Sequence, residues 1–278
     1  MPDFARSDDP AVQAQLDRLA LLSPGGDRLG LDRITRLLDR LDRPQDRLPP
    51  VFHVAGTNGK GSTCAFLRSA LEASGRKVHV FTSPHLVRFN ERIRLAGKLI
   101  TDEALAALLS EVLDAGDGID ASFFEVTTAV AFLAFARTPA DAAVIEVGLG
   151  GRLDATNVIE RPLCCGIAAV GIDHQQFLGA SLAEIAAEKA GIAKAEVPLV
   201  VLAQPSDAQQ AIERIAELNE AQLWLEGRDW TIDPALRSSL LGDHQVRNAN
   251  LAWQMLQRQD QLIVGRASFL SGLSSTQW

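Results

Sequence analysis

A glycine-rich run ending in lysine, His53-Val54-Ala55-Gly56-Thr57-Asn58-Gly59-Lys60-Gly61-Ser62-Thr63, has the residue types that bind phosphate. Glycines let the backbone curl so that successive N–H groups point at one anion, and the lysine adds a full positive charge. The spelling departs from the usual G-x-x-x-x-G-K-[ST]. Gly56 sits one place late, and Gly61 intrudes between Lys60 and the hydroxyl of Ser62. Three further polar positions, Ser83, Glu146 and His174, each read as ending an apolar strand. A hydroxyl, a carboxylate and an imidazole beside bound phosphates suit Mg2+ as ligands or as partners of its ligands, imidazole being the unusual one. The blander readings are a turn cap for Glu146 and a satisfied core histidine for His174. Lys189, in Ala187-Glu188-Lys189-Ala190-Gly191-Ile192, reads from composition as a surface helix lysine. Gly242 to Asn250 reads as polar groups opening a helix, a cap among other possibilities.

These residues need elements to position them. Val51 to Val54 is a short apolar strand, and Phe66, Leu67, Ala70 and Leu71 mark a helix after the loop, the strand–loop–helix setting of a phosphate site. The helix dipole adds to the positive field there. Before it, Pro10 to Leu22 reads as a helix broken at Ser23-Pro24-Gly25-Gly26. Arg28 to Arg33 leads into a second helix carrying Ile34, Leu37, Leu38 and Leu41. After it come a strand at Lys77 to Phe81, an extended excursion from Phe89 to Ile100 turning near Gly97, and a helix started by Thr101 and Glu103. A long apolar helix, Phe124 to Ala136, is too short to span a membrane and belongs between sheet and surface. Strands are expected at Ala142 to Val147, Leu163 to Ile172, Pro198 to Leu202 and Ala221 to Leu225. Helices are expected at Leu182 to Ala193, Ala208 to Asn219 and, last, His244 to Gln257. Strands apolar throughout that alternate with helices predict an α/β fold, a mainly parallel sheet covered on both faces. In such a sheet the C-terminal strand ends share one edge, where ligands bind.

The whole chain agrees with a globular nucleotide-binding protein. Of its 278 residues 47% are hydrophobic and 22% charged, enough for a well-buried core. A net charge of −8 argues against nucleic acid as the main partner. The three cysteines, Cys64, Cys164 and Cys165, have no zinc spacing and read as buried free thiols, which fits a reducing cytosol. No signal-peptide core or membrane-length apolar run is present, so a soluble cytoplasmic protein is expected.

Four motifs fall in order: His53 to Ser62; Thr82-Ser83-Pro84-His85-Leu86; Glu146-Val147-Gly148-Leu149-Gly150-Gly151-Arg152-Leu153-Asp154-Ala155-Thr156-Asn157; and Glu188-Lys189-Ala190-Gly191. Together they closely resemble the folylpolyglutamate synthase / dihydrofolate synthase family of the Mur ligase superfamily, from about Leu16 to Trp278. The resemblance implies a Mur-ligase-like ATP-binding domain over residues 1–278, with a helical segment at 1–50 and a P-loop α/β core at 51–278. It implies ATP-dependent joining of a pteroate or folate carboxylate to L-glutamate through an acyl phosphate. Gly56, Thr57, Asn58, Gly59, Lys60, Gly61 and Ser62 would cradle the ATP phosphates, and Asn248 would touch adenine. Ser83 and Glu146 would hold one Mg2+, Glu146 and His174 a second. Lys189 matches a lysine that is carbamylated in the family, and Lys60, Glu146, His174 and Lys189 would form the catalytic group. Gly30 and Leu31, Ser122, Phe123, Phe124 and Glu125, and Leu153, Asp154 and Ala155 would line the pterin site. The family also implies a monomer whose partners are small molecules, with no nucleic acid and no membrane.

The family carries a second, smaller α/β domain after a Pro-Gly-Arg linker, with an arginine that reaches ATP. That domain is expected to be absent from these residues, leaving a chain that binds Mg·ATP and pterin but forms no amide bond alone. A different P-loop phosphotransferase is the other alternative; the shortened loop and the Gly148 to Asn157 run argue against it.

Overall fold

A computed structural model of the chain describes residues 6–22 and 29–277. The break expected at Ser23 to Gly26, and Arg28, lie outside the described residues. In chain order the elements are α1 (Pro10–Ala20), α2 (Asp32–Arg40), β1 (Val51–Ala55), α3 (Lys60–Ala73), β2 (Val78–Phe81), β3 (Ile93–Leu95), β4 (Lys98–Leu99), α4 (Asp102–Ala115) and α5 (Phe123–Arg137). They continue with β5 (Ala142–Glu146), β6 (Cys164–Ile167), α6 (Gln175–Leu178), α7 (Leu182–Ala190), β7 (Pro198–Val201), α8 (Ser206–Leu218), β8 (Gln222–Leu225), α9 (His244–Gln257) and α10 (Arg266–Ser275).

The strands form one sheet in the order β4-β3-β2-β5-β1-β6-β7-β8, parallel from β2 to β8. The excursion from Phe89 to Ile100 is an antiparallel hairpin, β3–β4, laid on the β2 edge. From β1 the chain first builds outward to β2 and later returns to start β6 on the other side. The phosphate loop therefore leaves the sheet where strand order reverses, the usual place for a ligand crevice.

Alternation along the strands sorts the core into two faces. Phe52, Val54, Ala142, Val144, Cys164 and Val200 face α3, α9 and α10. Val51, Ala143 and Ile145 face α1, α2, α4 and α5, while Cys165, Ile167, Leu199 and Val201 on the same side meet α7 and α8. The adjacent cysteines thus point to opposite faces, and all three thiols are free and buried as expected. Ser122 starts α5 with a capping box to Glu125, and Thr101 caps α4. Among the described residues no helix is long and apolar enough to cross a membrane.

Two expectations need correction. His244–Gln257 is not the last helix: α10 follows and packs on α3, its apolar residues Phe269 and Leu273 being few enough to hide its period. The apolar run from Leu163 to Ile172 is a strand only over Cys164–Ile167. Beyond Ala168 the chain bends over the phosphate loop, so His174 does not end a strand.

Candidate functional site

Two glycines make the phosphate loop possible. Gly56 has φ +152°, and a Cβ there would lie 2.9 Å from Ala168 Cβ. Gly59, at φ +89°, would drive a Cβ into the side chain of Asn248. The loop is clamped from the β6 side. Thr57 N and Asn58 N donate to Ala169 O at 2.8 and 3.1 Å, and Thr57 Oγ1 exchanges bonds with Gly171. The Thr57 and Asn58 amides are thereby bonded within the protein. The amides of Lys60, Gly61 and Ser62 open α3, where a helix offers them no carbonyl. Lys60 Nζ rests on Thr57 O at 3.3 Å, and Asn248 lies buried beneath the loop, donating to Gln245 Oε1.

Glu146 ends β5 beside this loop, 6% exposed, and its Oε2 accepts from Ser83 N at 3.3 Å. Burial pushes its carboxyl up to about 7, against the pull of Lys60, the Ser83 amide and Arg92. Arg92 was not singled out by sequence. It is fully buried, donating to Ser83 Oγ at 3.1 Å and to His85 Nδ1 at 2.9 Å, with its guanidinium 5.2 Å from the Phe89 ring centroid and 5.6 Å from that of Phe123. An arginine at the start of a hairpin strand carries no sequence signal that it will turn inward.

Lys189 overturns the surface reading made from composition. It is 4% exposed and donates to Gly56 O at 3.0 Å. Burial and the Lys60 charge lower it to about 8, Asp173 and Asp154 opposing. It turns inward because α7 packs tightly on the Gly148–Asn157 loop. A Cβ on Gly151 would lie 2.6 Å from Glu188 O, and Arg152 N donates to that carbonyl at 2.8 Å. His174 does not end a strand but stands at the start of the short α6. Its side chain is 53% exposed, 3.6 Å from Asp173 Oδ2. Among the described residues no cluster of three His, Cys, Asp or Glu side chains could hold a metal.

The segments expected at the pterin site do converge. α2 packs on α5, and both meet the 3₁₀ turn Ala155–Val158. Glu125 Oε2 accepts from Ser122 N and from Arg33 Nε at 3.0 Å, leaving the buried Oε1 without a partner. Phe124 fills the space over Gly148, Phe123 meets Phe89 edge-on, and Leu31 joins the same cluster. Around Gly30 the space is open, since nothing lies within 4 Å of a Cβ placed there. Leu153 is half-buried and Ala155 buried. Asp154 turns its carboxylate inward instead, accepting from Leu149 N and from the Thr156 amide and hydroxyl.

Comparison with known proteins bears on what this arrangement is. No protein-family model matches the chain. Individual relatives match along almost all of it. The apo form of L. casei FPGS superposes with a TM-score of 0.88 at 31% identity, covering 96% of this chain and 72% of that one. This chain belongs to the dihydrofolate synthase/folylpolyglutamate synthase family. Escherichia coli FolC in complex with DHPP and ADP superposes with a TM-score of 0.86 at 32% identity, over 95% of this chain and 66% of that one. The dihydrofolate synthase/folylpolyglutamate synthase of Bacillus subtilis is 38% identical across 91% of this chain. The chain spans 65% of that protein, just under two thirds of a curated family member's length. Its mainly parallel sheet with helices on both faces is the Mur ligase fold of the family.

Proposed function

We propose that the protein is an ATP-dependent amide ligase that adds L-glutamate to dihydropteroate, to a (tetrahydro)folate, or to both. The observation that carries this reading is the junction of a phosphate-binding helix start with buried Glu146 and Lys189, beside the converging α2, α5 and Gly148–Asn157 segments. The acceptor carboxylate attacks the γ-phosphorus of ATP, ADP leaves, and the glutamate amine then displaces phosphate from the acyl phosphate with loss of a proton. The protein's part in such a transfer is positioning and charge neutralisation. The amides of Lys60, Gly61 and Ser62 face the phosphates with the α3 dipole behind them, and the Lys60 ammonium supplies the full charge.

A divalent ion fits Glu146, because a carboxylate this buried needs positive charge to stay ionised, and Ser83, whose amide bonds Glu146 and whose hydroxyl accepts from Arg92, is proposed as its second ligand. Mg2+ held there would neutralise phosphate charge. By the family resemblance, Glu146 and His174 are proposed to serve a second ion. With its folded value raised above 4.5, Glu146 adds stability when protonated, fully below about pH 4.5, and loses it as pH rises through about 7. Glu146→Gln is therefore expected to melt no lower than the parent at pH 8 without metal, yet to need roughly tenfold more Mg2+ for nucleotide binding, a lost charged ligand being worth about 1.5–3 kcal/mol. Thermal melts and magnesium titrations check both; an unchanged magnesium dependence would leave Glu146 a mere strand end.

Lys189 is proposed as the carbamylated lysine. At a value of about 8, about one amine in ten is neutral at pH 7, against fewer than about one in a thousand for free lysine. Labelled bicarbonate should give a carbamate carbon signal that Lys189→Arg abolishes; a signal that persists in that variant, or none in the parent, refutes the assignment. The function itself is tested by ADP release from this chain supplied with the C-terminal part of a longer relative. Release should require both a pteroate or folate and glutamate, whereas glutamate-independent phosphorylation of an acceptor would favour a phosphotransferase.

A further inference from the structure

His53 lies fully buried in β1, three residues before Gly56, and has no part in the proposed reaction. Its Nε2 is 2.8 Å from Thr156 Oγ1. That hydroxyl is 2.5 Å from Asp154 Oδ1, which also accepts from Thr156 N at 3.0 Å. The other oxygen, Asp154 Oδ2, accepts from Leu149 N at 2.8 Å. A carboxylate surrounded by donors can only accept, and a hydroxyl has one proton to give. The Thr156 proton therefore goes to Asp154, and the hydroxyl presents a lone pair to the imidazole. His53 must carry its hydrogen on Nε2, leaving Nδ1 bare, and Nδ1 is buried without a partner. Burial, helped by the Lys194 charge, lowers His53 to about 3, so the neutral ring persists through the physiological range.

The chain of bonds joins two parts of the site that are about a hundred residues apart in sequence. β1 leads directly into the phosphate loop. Asp154 organises the loop whose 3₁₀ turn Ala155–Val158 packs on α2 and α5, and whose far end is pinned by Asn157 Nδ2 to Arg152 O and Gly191 O. A buried imidazole with one nitrogen unsatisfied is an unfavourable filler for a strand position that an aliphatic residue could occupy. Its useful feature is the directed Nε2–H.

We propose that His53 is a positioning residue: through Thr156 and Asp154 it locks the acceptor-side loop to the strand that carries the phosphate loop, keeping the two substrates in register. This rests on the ligase reading, in that it requires an acceptor bound beside the Gly148–Asn157 loop. The effect belongs to acceptor binding, not to nucleotide binding, since the phosphate loop has its own clamp at Ala169.

The test uses the full 278-residue chain, a non-hydrolysable ATP analogue and dihydropteroate. Thr156→Val is expected to weaken dihydropteroate binding about tenfold or more, as loss of a buried bond to a charged group does. It should leave the analogue within about twofold, and speed hydrogen exchange at the Leu149 and Thr156 amides. His53→Leu should show the same pattern more mildly. His53→Gln, which keeps a donor, and Thr156→Ser, which keeps the hydroxyl, should restore acceptor affinity. The double variant His53→Leu/Thr156→Val should be no weaker than Thr156→Val alone, because both act through one chain of bonds. Wild-type acceptor affinity in His53→Leu would overturn the proposal. So would a parallel loss of both ligands with a lowered melting temperature, which marks a merely structural pair. A parent chain that binds the analogue but never dihydropteroate would overturn the ligase reading and this proposal with it; one that binds both, insensitively to these variants, would overturn the register role alone.

Discussion

Replacing Lys60 by alanine is expected to weaken Mg·ATP binding by about 10–150-fold, the equivalent of one charge-assisted bond of about 1.5–3 kcal/mol. The fold should be almost untouched, because among the described residues the ammonium bonds only the carbonyl of Thr57, on its own loop, at 3.3 Å. Helix dipole and amides would remain, so residual binding should survive with a weaker salt and phosphate dependence. A second readout separates charge from packing. Lys60 is one of the causes that hold Lys189 at about 8, so Lys60→Ala should let Lys189 move back toward its ordinary value of 10.5. Calorimetric titration with a non-hydrolysable ATP analogue decides the first point. Unchanged affinity together with unchanged turnover would remove the phosphate-loop assignment.

The 278 residues expressed by themselves are expected to bind nucleotide and to ligate glutamate poorly. The Bacillus subtilis relative is longer, this chain spanning 65% of it, and we propose that an ATP-directed arginine and much of the glutamate-holding surface lie in the unmatched part. An arginine on a transferring phosphoryl group contributes roughly 10³–10⁵ in rate. Holding two reactants in register contributes about 7–11 kcal/mol of the barrier. Without both, slow hydrolysis of ATP is the expected chemistry. Incorporation of labelled glutamate into a pteroate or folate acceptor measures it directly, alone and with the C-terminal part of a relative supplied. Turnover by the isolated chain near about 1 s⁻¹, inside the common enzyme range, would show that these residues hold the whole machinery.

Much of this was legible before any coordinates, where a local rule sets the outcome. The β1–loop–α3 unit follows from an apolar strand, glycines at Gly56 and Gly59, and an apolar helical period, and its boundaries fall within a residue or two. The α9 helix matches its expected span, and Thr101 caps α4 where a helix start was expected. The errors have a common cause. The run from Leu163 to Ile172 is apolar throughout, yet a strand lasts only as long as its amides find a neighbouring strand. Past Ala168 the Ala169 carbonyl accepts from the phosphate loop's Thr57 and Asn58 amides, and Val170 N donates to the Gln204 side chain. The reading of His174 as a strand end fell with it.

The sequence by itself determined the sheet, the phosphate loop at the head of α3, and a carboxylate at the end of β5, because periodicity, glycine conformation and helix polarity are properties of short segments. Only the tertiary structure decided that Lys189 is buried against Gly56, that Arg92 turns inward to Ser83 and His85, and that His53 reaches Asp154 through Thr156. Each depends on which distant segment comes to lie over the residue. Burial, and the shifts in protonation it produces, follow from packing between segments and leave no trace in the spacing of one of them.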